Sequence, residues 1–307
     1  MRLQEYLDRT RKASFNSVRR SDMIRYQLGD APIMIFCSHA PSPPLADFVE
    51  RFWLCSDTPS HRRERILPSG TIELVINLLE DEIRIYEPLR PDRWRRFSGA
   101  VVSGPYSTCF LIDPLQHASI IGVHFMPGGA FPFFGAPADE LADTHLDLET
   151  LWGRAATELR ERLCTAATVV QRFSLLEDAL ISRLLPPPAR HGAVSIALGM
   201  FEQMSEGAKV RDVACRVGLS QRRFIQVFAA EVGLTPKLYR RVRRFQQARE
   251  LVRSFEVLDW ARVAVNCGYF DQPHLIRDFQ EFSGLTPADY HRRSIEQVLP
   301  NHVPQPG

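Results

Sequence analysis

The sequence predicts an α+β chain of two domains. An N-terminal antiparallel barrel or sandwich carries trailing helices, and a C-terminal all-α domain holds two helix-turn-helix units joined by a long helix. Three observations support this. Short β-branched and aromatic runs separated by Gly, Pro, Asp and Asn fill residues 33–125. Helical apolar periodicity replaces them from about Leu148 onward. The string Phe-x-x-x-x-Gly-Leu-Thr-Pro-x-x-Tyr occurs at Phe228–Tyr239 and again at Phe279–Tyr290, 51 positions apart, and such self-similarity outranks any single-residue clue.

The chain divides as follows. Residues 1–30 read as an extension, with seven Lys/Arg against three Asp/Glu in the first 25 and no clear period. Residues 31–185 form the β-rich domain. Its expected strands are Ile33–Phe36, Phe48–Cys55, Thr71–Leu79, Ile83–Tyr86, Ser98–Ser103, Cys109–Ile112 and Ile120–Phe125, with Pro68-Ser69-Gly70 as a turn feeding the strongest of them. Beyond Met126-Pro127-Gly128-Gly129-Ala130, helices are expected at Leu148–Leu163 and Val169–Leu185. Val169, Val170, Phe173, Leu176 and Leu180 make an apolar stripe along the second, for core packing or for a partner surface. Three consecutive prolines mark residues 186–192 as a stiff linker. Residues 193–293 hold the repeat, and the proline-bearing tail 294–307 reads as poorly ordered.

Each repeat unit can be justified residue by residue. Gly218 and Gly268 stand where the first helix of a unit must end, in a left-handed conformation that is cheap for Gly. Ser220 and Asp271 offer side-chain oxygens as N-caps for the next helix. Phe224 and Phe228 in one unit, and Leu275, Phe279 and Phe282 in the other, form buried faces. Gln221, Arg222 and Gln226, and Gln272, His274 and Arg277, are left pointing outward. Gly233 and Gly284 stop these helices, and Thr235-Pro236 and Thr286-Pro287 begin new ones. The complete caps and apolar faces predict a domain with its own core.

From Pro236 to Arg253 the period is helical, with Tyr239, Val242, Phe245 and Val252 on one side and Arg240, Arg241, Arg243, Arg244, Arg249 and Arg253 over the rest. Such a helix is roughly 27 Å long at the α-helical rise, near the roughly 34 Å that separates successive major grooves on one face of DNA. Residues 209–293 carry 16 Lys/Arg against nine Asp/Glu, a net of +7, whereas the whole chain is +2. The remainder is therefore −5. A strongly basic segment attached to an acidic one is the electrostatic footprint of a nucleic-acid binder.

These residues resemble the DNA-binding domain of the AraC/XylS transcription regulators over about Ala193–Arg293, most specifically in Gly268-Tyr269-Phe270-Asp271-Gln272-Pro273-His274-Leu275, Phe279 and Gly284-Leu285-Thr286-Pro287. Pro273 and Ile276 depart from the small or polar residues usual in that family. The resemblance implies a sequence-specific transcription regulator that binds double-stranded DNA and contacts RNA polymerase. By analogy its N-terminal domain is cupin-like and takes a small-molecule effector, forms a homodimer, or does both. The expected DNA-binding residues are Ser220, Gln221, Arg222, Gln226, Gln272, His274, Arg277, Arg240, Arg243 and Arg244.

Other readings are weaker. No apolar run reaches the length of a membrane span, and the charged N-terminus lacks a signal-peptide core. The six cysteines show no C-x-x-C spacing, so a cytoplasmic chain with reduced thiols is expected. His117 and His124 read as opposite faces of one strand rather than metal ligands, and Asp147 and Glu149 as the charged start of a helix. Cys37, Cys55 and Cys109 read as buried strand thiols. Phe52, Trp53, Tyr86, Trp94 and Phe110 read as core or as the lining of a ligand cavity. The expectation is no catalytic residue, no metal and no cofactor; the competing readings are an enzymatic N-terminal domain, such as a metal enzyme or repair alkyltransferase, and an effector-independent DNA-binding protein.

Overall fold

The computed structural model describes residues 21–26, 34–56, 63–184, 191–203, 209–254, 259–294 and 301–305. The extension before residue 21 and most of the proline linker lie outside these residues. Alternating side chains along the strands build two open antiparallel sheets. The first contains β1 (Ser21–Tyr26), β2 (Met34–His39), β3 (Val49–Ser56), β5 (Glu73–Asn77), β8 (Ala100–Ser103), β10 (Ser119–Phe125) and β11 (His145–Asp147), in the order β1-β2-β3-β10-β5-β8-β11. The second contains β4 (Glu64–Ile66), β6 (Ile83–Glu87), β7 (Arg90–Phe97), β9 (Phe110–Ile112) and β12 (His302–Pro304), in the order β12-β4-β9-β6-β7. The sheets do not close into a barrel, so the sandwich is the observed form of the expected architecture.

The period-2 rule assigns the two faces of the large sheet. Phe52, Leu54, Leu74, Ile76, Ala100, Val102, Ile121, Val123 and Phe125 face one way. They pack on helices α1 (Phe131–Phe134), α2 (Leu148–Trp152), α3 (Arg154–Thr165) and α4 (Val169–Ile181) through Phe133, Trp152, Leu159, Leu163, Phe173, Leu176 and Leu180. The stripe on α4 is thus core, with Val170 left exposed. Trp53, Cys55 and Ile120 face the other way. On that side Val75 and Val101 meet Ile83, Ile85 and Phe97 of the small sheet.

Several elements differ from expectation. The helix expected at Leu148–Leu163 breaks at Gly153, whose φ of 59° ends α2 before α3 begins. Asp147 does not cap α2 through its side chain; its Oδ1 accepts from Ser98 N at 2.6 Å instead. His124 lies on β10 but His117 sits in the turn before it, so the two do not share a strand. Residues 21–26, read as extension, are a strand of the large sheet.

The tail is the largest correction. Residues 302–304, expected to be poorly ordered, form β12 and pair antiparallel with β4. Leu67 N and Gln305 N donate to the carbonyls of Asn301 and Arg63, His302 Nδ1 pairs with Glu64 at 2.8 Å, and Arg65 donates to Gln305 at 3.0 Å. Backbone ladder bonds and the side-chain contacts of His302 and Gln305 outweigh the proline content that suggested disorder.

The C-terminal domain comprises α5 (Gly192–Gln203), α6 (Val210–Arg216), α7 (Gln221–Val232), α8 (Pro236–Ser254), α9 (Trp260–Asn266), α10 (Gln272–Ser283) and α11 (Pro287–Ser294). Its core of Phe224, Phe228, Tyr239, Val242, Phe245, Phe279, Phe282 and Tyr290 is not self-contained. Leu67 and Cys109, next to β4 and β9 of the small sheet, and Val303 of the tail belong to the same cluster. Gln246 Nε2 on α8 donates to the Pro68 carbonyl at 2.5 Å and to Asn301 Oδ1 at 2.9 Å. At the end of α7, Gly233 has a φ of +87°, and a Cβ there would lie 2.3 Å from Pro105 and 2.8 Å from the Ala138 carbonyl. Only Gly admits so close an approach in that conformation.

Candidate nucleic-acid interface

In the first unit α6 ends at Gly218, and the Ser220 hydroxyl accepts from Arg223 N at 3.2 Å to start α7. Ser220 therefore spends an oxygen on its own helix. With Phe224 and Phe228 fully buried, Gln221, Arg222, Arg223 and Gln226 remain exposed. In the second unit α9 ends at Gly268, and Asp271 Oδ1 accepts from His274 N at 2.8 Å to start α10. Pro273 sits in the first turn, where its missing N–H costs nothing. Gln272 and Arg277 are exposed, and His274 is half-buried edge-on against Tyr269 at 5.2 Å.

α8 joins the units and lays a basic stripe beside α10. Lys237, Arg240, Arg241, Arg244, His274, Arg277, Asp278 and Glu281 line one cleft. Arg244 donates to the Gly268 carbonyl at 3.3 Å and lies 5.1 Å over the Tyr269 ring, and Arg240 lies 5.6 Å over Phe201. Arg241 reaches Asp278 at 2.7 Å and Glu281 at 2.6 Å. These bonds raise the Arg241 pKa and hold the Glu281 carboxyl below its usual value.

The cleft thus gathers Arg240, Arg244, His274 and Arg277. Ser220, Gln221, Arg222 and Gln226 form a separate patch on α7. Gln272 lies at the N-terminal end of α10, and Arg243 is half-buried on α8 outside the cleft lining. Arg249, expected on the polar side of α8, is buried and bonded to Gln246 and Glu250. Lys237 and Arg241 were not among the expected DNA-binding residues, although positions 237, 240, 241 and 244 follow the i, i+3, i+4, i+7 spacing of one helix stripe.

A second concave region lies between the two sheets. Phe36, Trp53, Tyr106 and Phe110 give it aromatic walls, and Arg51 and Glu73 give it charge. Its remaining border includes Leu67, Pro68, Ser69, Asn301 and His302, of which Pro68 and Asn301 bond Gln246 of α8. Of the aromatics considered from sequence, Trp53 and Phe110 line this cleft, Phe52 faces the helices, and Tyr86 and Trp94 pair on the outer sheet. Burial raises the Glu73 carboxyl, but its hydrogen bond and charge interaction with His124 outweigh this and hold it low. His124 also contacts Thr71 at 3.1 Å. Tyr106 and Ser103 both bond His145, whose imidazole burial pushes down to about 3. Among the described residues, no three His, Cys, Asp or Glu side chains cluster as a metal site, and no helix is long and apolar enough to cross a membrane.

Residues 213–293 match the family described as a helix-turn-helix domain, and residues 38–147 match one described as a domain of unknown function, DUF6597. No curated protein matches. Similar solved structures include an AraC-type regulator from Chromobacterium violaceum, at 20% identity over 36% of this chain and all of that one, with a TM-score of 0.33. The DNA-binding domain of AdpA in complex with a target DNA is 25% identical over 33% of this chain and 89% of that one, with a TM-score of 0.31. Fatty-acid-bound ToxT from Vibrio cholerae is 8% identical over 78% of this chain and 94% of that one, with a TM-score of 0.45. The C-terminal region thus matches a helix-turn-helix domain, and it follows a region that matches DUF6597.

Proposed function

We propose that the chain recognises a specific DNA site with both units at once, and that its N-terminal domain sets how the units meet that site. The observation that carries this reading is the shared seam: the Pro68 carbonyl and Asn301 hold Gln246 on the helix that joins the units. The same Pro68 and Asn301 border the cleft between the sheets. A small molecule entering that cleft displaces groups that touch α8, and this is a direct mechanical route from effector to DNA. Base contact falls to Gln221, Arg222 and Gln226 on α7 and to Gln272, His274 and Arg277 on α10. Phosphate contact falls to Arg240, Arg243 and Arg244. RNA polymerase contact belongs to the outward surface of the helical domain. With the α4 stripe used in the core, the regulatory input assigned here is a small molecule rather than a homodimer face.

The test is Gln246→Ala in the full chain, measured by fluorescence anisotropy on a duplex selected from random DNA. Removing a half-buried side-chain link of this kind changes the balance between arrangements by about 1 kcal/mol, roughly fivefold in affinity. Unchanged affinity and salt dependence, with the fold intact by circular dichroism, overturns the coupling. Effector entry is read separately by quenching of Trp53 against a Trp53→Phe control during a metabolite screen.

A further inference from the structure

The two units are repeats with an offset that changes along their length. Phe228 and Phe279, and the N-caps Ser220 and Asp271, are 51 positions apart, but the turn glycines Gly218 and Gly268 are 50 apart. The second turn therefore holds one extra residue. Backbone bonds identify it. Leu219 N donates to the Ala214 carbonyl at 3.0 Å, and Tyr269 N donates to the Ala264 carbonyl at 2.9 Å. Leu219 and Tyr269 are equivalent, and both pack on the domain core. Phe270, between Tyr269 and the cap Asp271, has no counterpart in the first unit.

Phe270 does not serve the core, because 90% of it is exposed. It stands immediately before the N-terminal end of α10, the end that leads into the major groove in a helix-turn-helix. The exposed Gln272 and Arg277 follow it on α10, and Arg244 of the basic stripe holds the Gly268 carbonyl in its own turn. An exposed apolar ring at the foot of a helix that carries the exposed Arg277 fits a polyanion that also offers apolar surface. In the major groove of DNA that surface is the thymine C5-methyl group. We propose that Phe270 packs against a thymine methyl in the half-site of the second unit, and so gives that unit a specificity determinant the first unit lacks. This rests on the reading above, in which the second unit enters the groove.

The experiment uses the full chain and a selected duplex, with each thymine of the second half-site replaced in turn by uracil. Uracil keeps the base pair and removes only the methyl. At one position the substitution weakens wild-type binding about fourfold, the worth of one buried methyl group. Phe270→Ala weakens binding to the thymine duplex by at least as much and loses nothing further on the uracil duplex. Phe270→Leu retains part of the discrimination. Phe270→Ala that loses equally on thymine and uracil at every position, or loses nothing, while Arg277→Ala still weakens specific binding, overturns the proposal alone. If Arg277→Ala is also without effect and the second half-site is unprotected, the failure lies in the underlying reading of the second unit.

Discussion

The two helix-turn-helix units share a plan but are held together by different chemistry. In the first, Val227 on α7 faces the domain core; 51 positions on, the equivalent place on α10 is Asp278, 1% exposed and bound to Arg241 of α8. The first unit meets the N-terminal domain through backbone at Gly233, where Pro105 and the Ala138 carbonyl close in. At the matching glycine of the second unit the neighbour is a side-chain tip instead, since a Cβ on Gly284 would encounter Arg65 Nη1 at 2.6 Å. An apolar contact in the first unit thus corresponds to a buried ion pair in the second, and a backbone approach at Gly233 to a side-chain approach at Gly284.

The comparison can be broken at its charged member. Asp278→Ala removes the buried partner of Arg241 and should cost about 3 kcal/mol in chemical denaturation, against about 1–2 kcal/mol for Val227→Ala. Replacing both charges, as Asp278→Val with Arg241→Met, should recover most of the loss, because a well-packed apolar pair can match a buried ion pair. If the double replacement is no better than Asp278→Ala, charge does not distinguish the units.

The glycines give a smaller contrast. Gly233→Ala should cost about 2–3 kcal/mol, the left-handed penalty of about 1–2 kcal/mol plus displacement of backbone. Gly284→Ala has to move only a guanidinium and should cost about 1 kcal/mol. Equal losses would mean that the domain seam does not distinguish the two units.

The smallest effect is on pH. Arg241 holds the Glu281 carboxyl below its ordinary value of 4.5, so its stabilisation is complete above that pH and is lost as pH falls through the lowered value. The stability difference between wild type and Glu281→Gln should be present at neutral pH and shrink under acid. A difference that grows on acidification contradicts the assignment.

Much of this was legible in the sequence because caps, turn glycines and the 51-residue repeat report local physics. Ser220, Asp271, Gly218, Gly233, Gly268 and Gly284 stand where the pattern put them. Strands with one buried face were equally readable, such as Ile120–Phe125. β7 was not, because Arg90–Arg96 is an exposed edge whose charges mask any alternation and protect it from pairing. The three-residue strands β4, β11 and β12 are too short to show a period, and their partners are distant in sequence. For the same reason the role of Asp278 was hidden: a buried carboxylate on an amphipathic helix reads as a surface residue until its arginine, 37 positions away, is placed beside it. The extra residue Phe270 was present as the mismatch between offsets of 50 and 51, a signal visible only once the turns are aligned by their hydrogen bonds.

The central claim is that both units engage one duplex together. Hydroxyl-radical footprinting of the full chain on a selected duplex tests it most directly. The account predicts two protected patches on one face of the helix, about 10 base pairs apart, with Arg222→Ala weakening one and Arg277→Ala the other. A single patch, lost in full to either substitution, would contradict it.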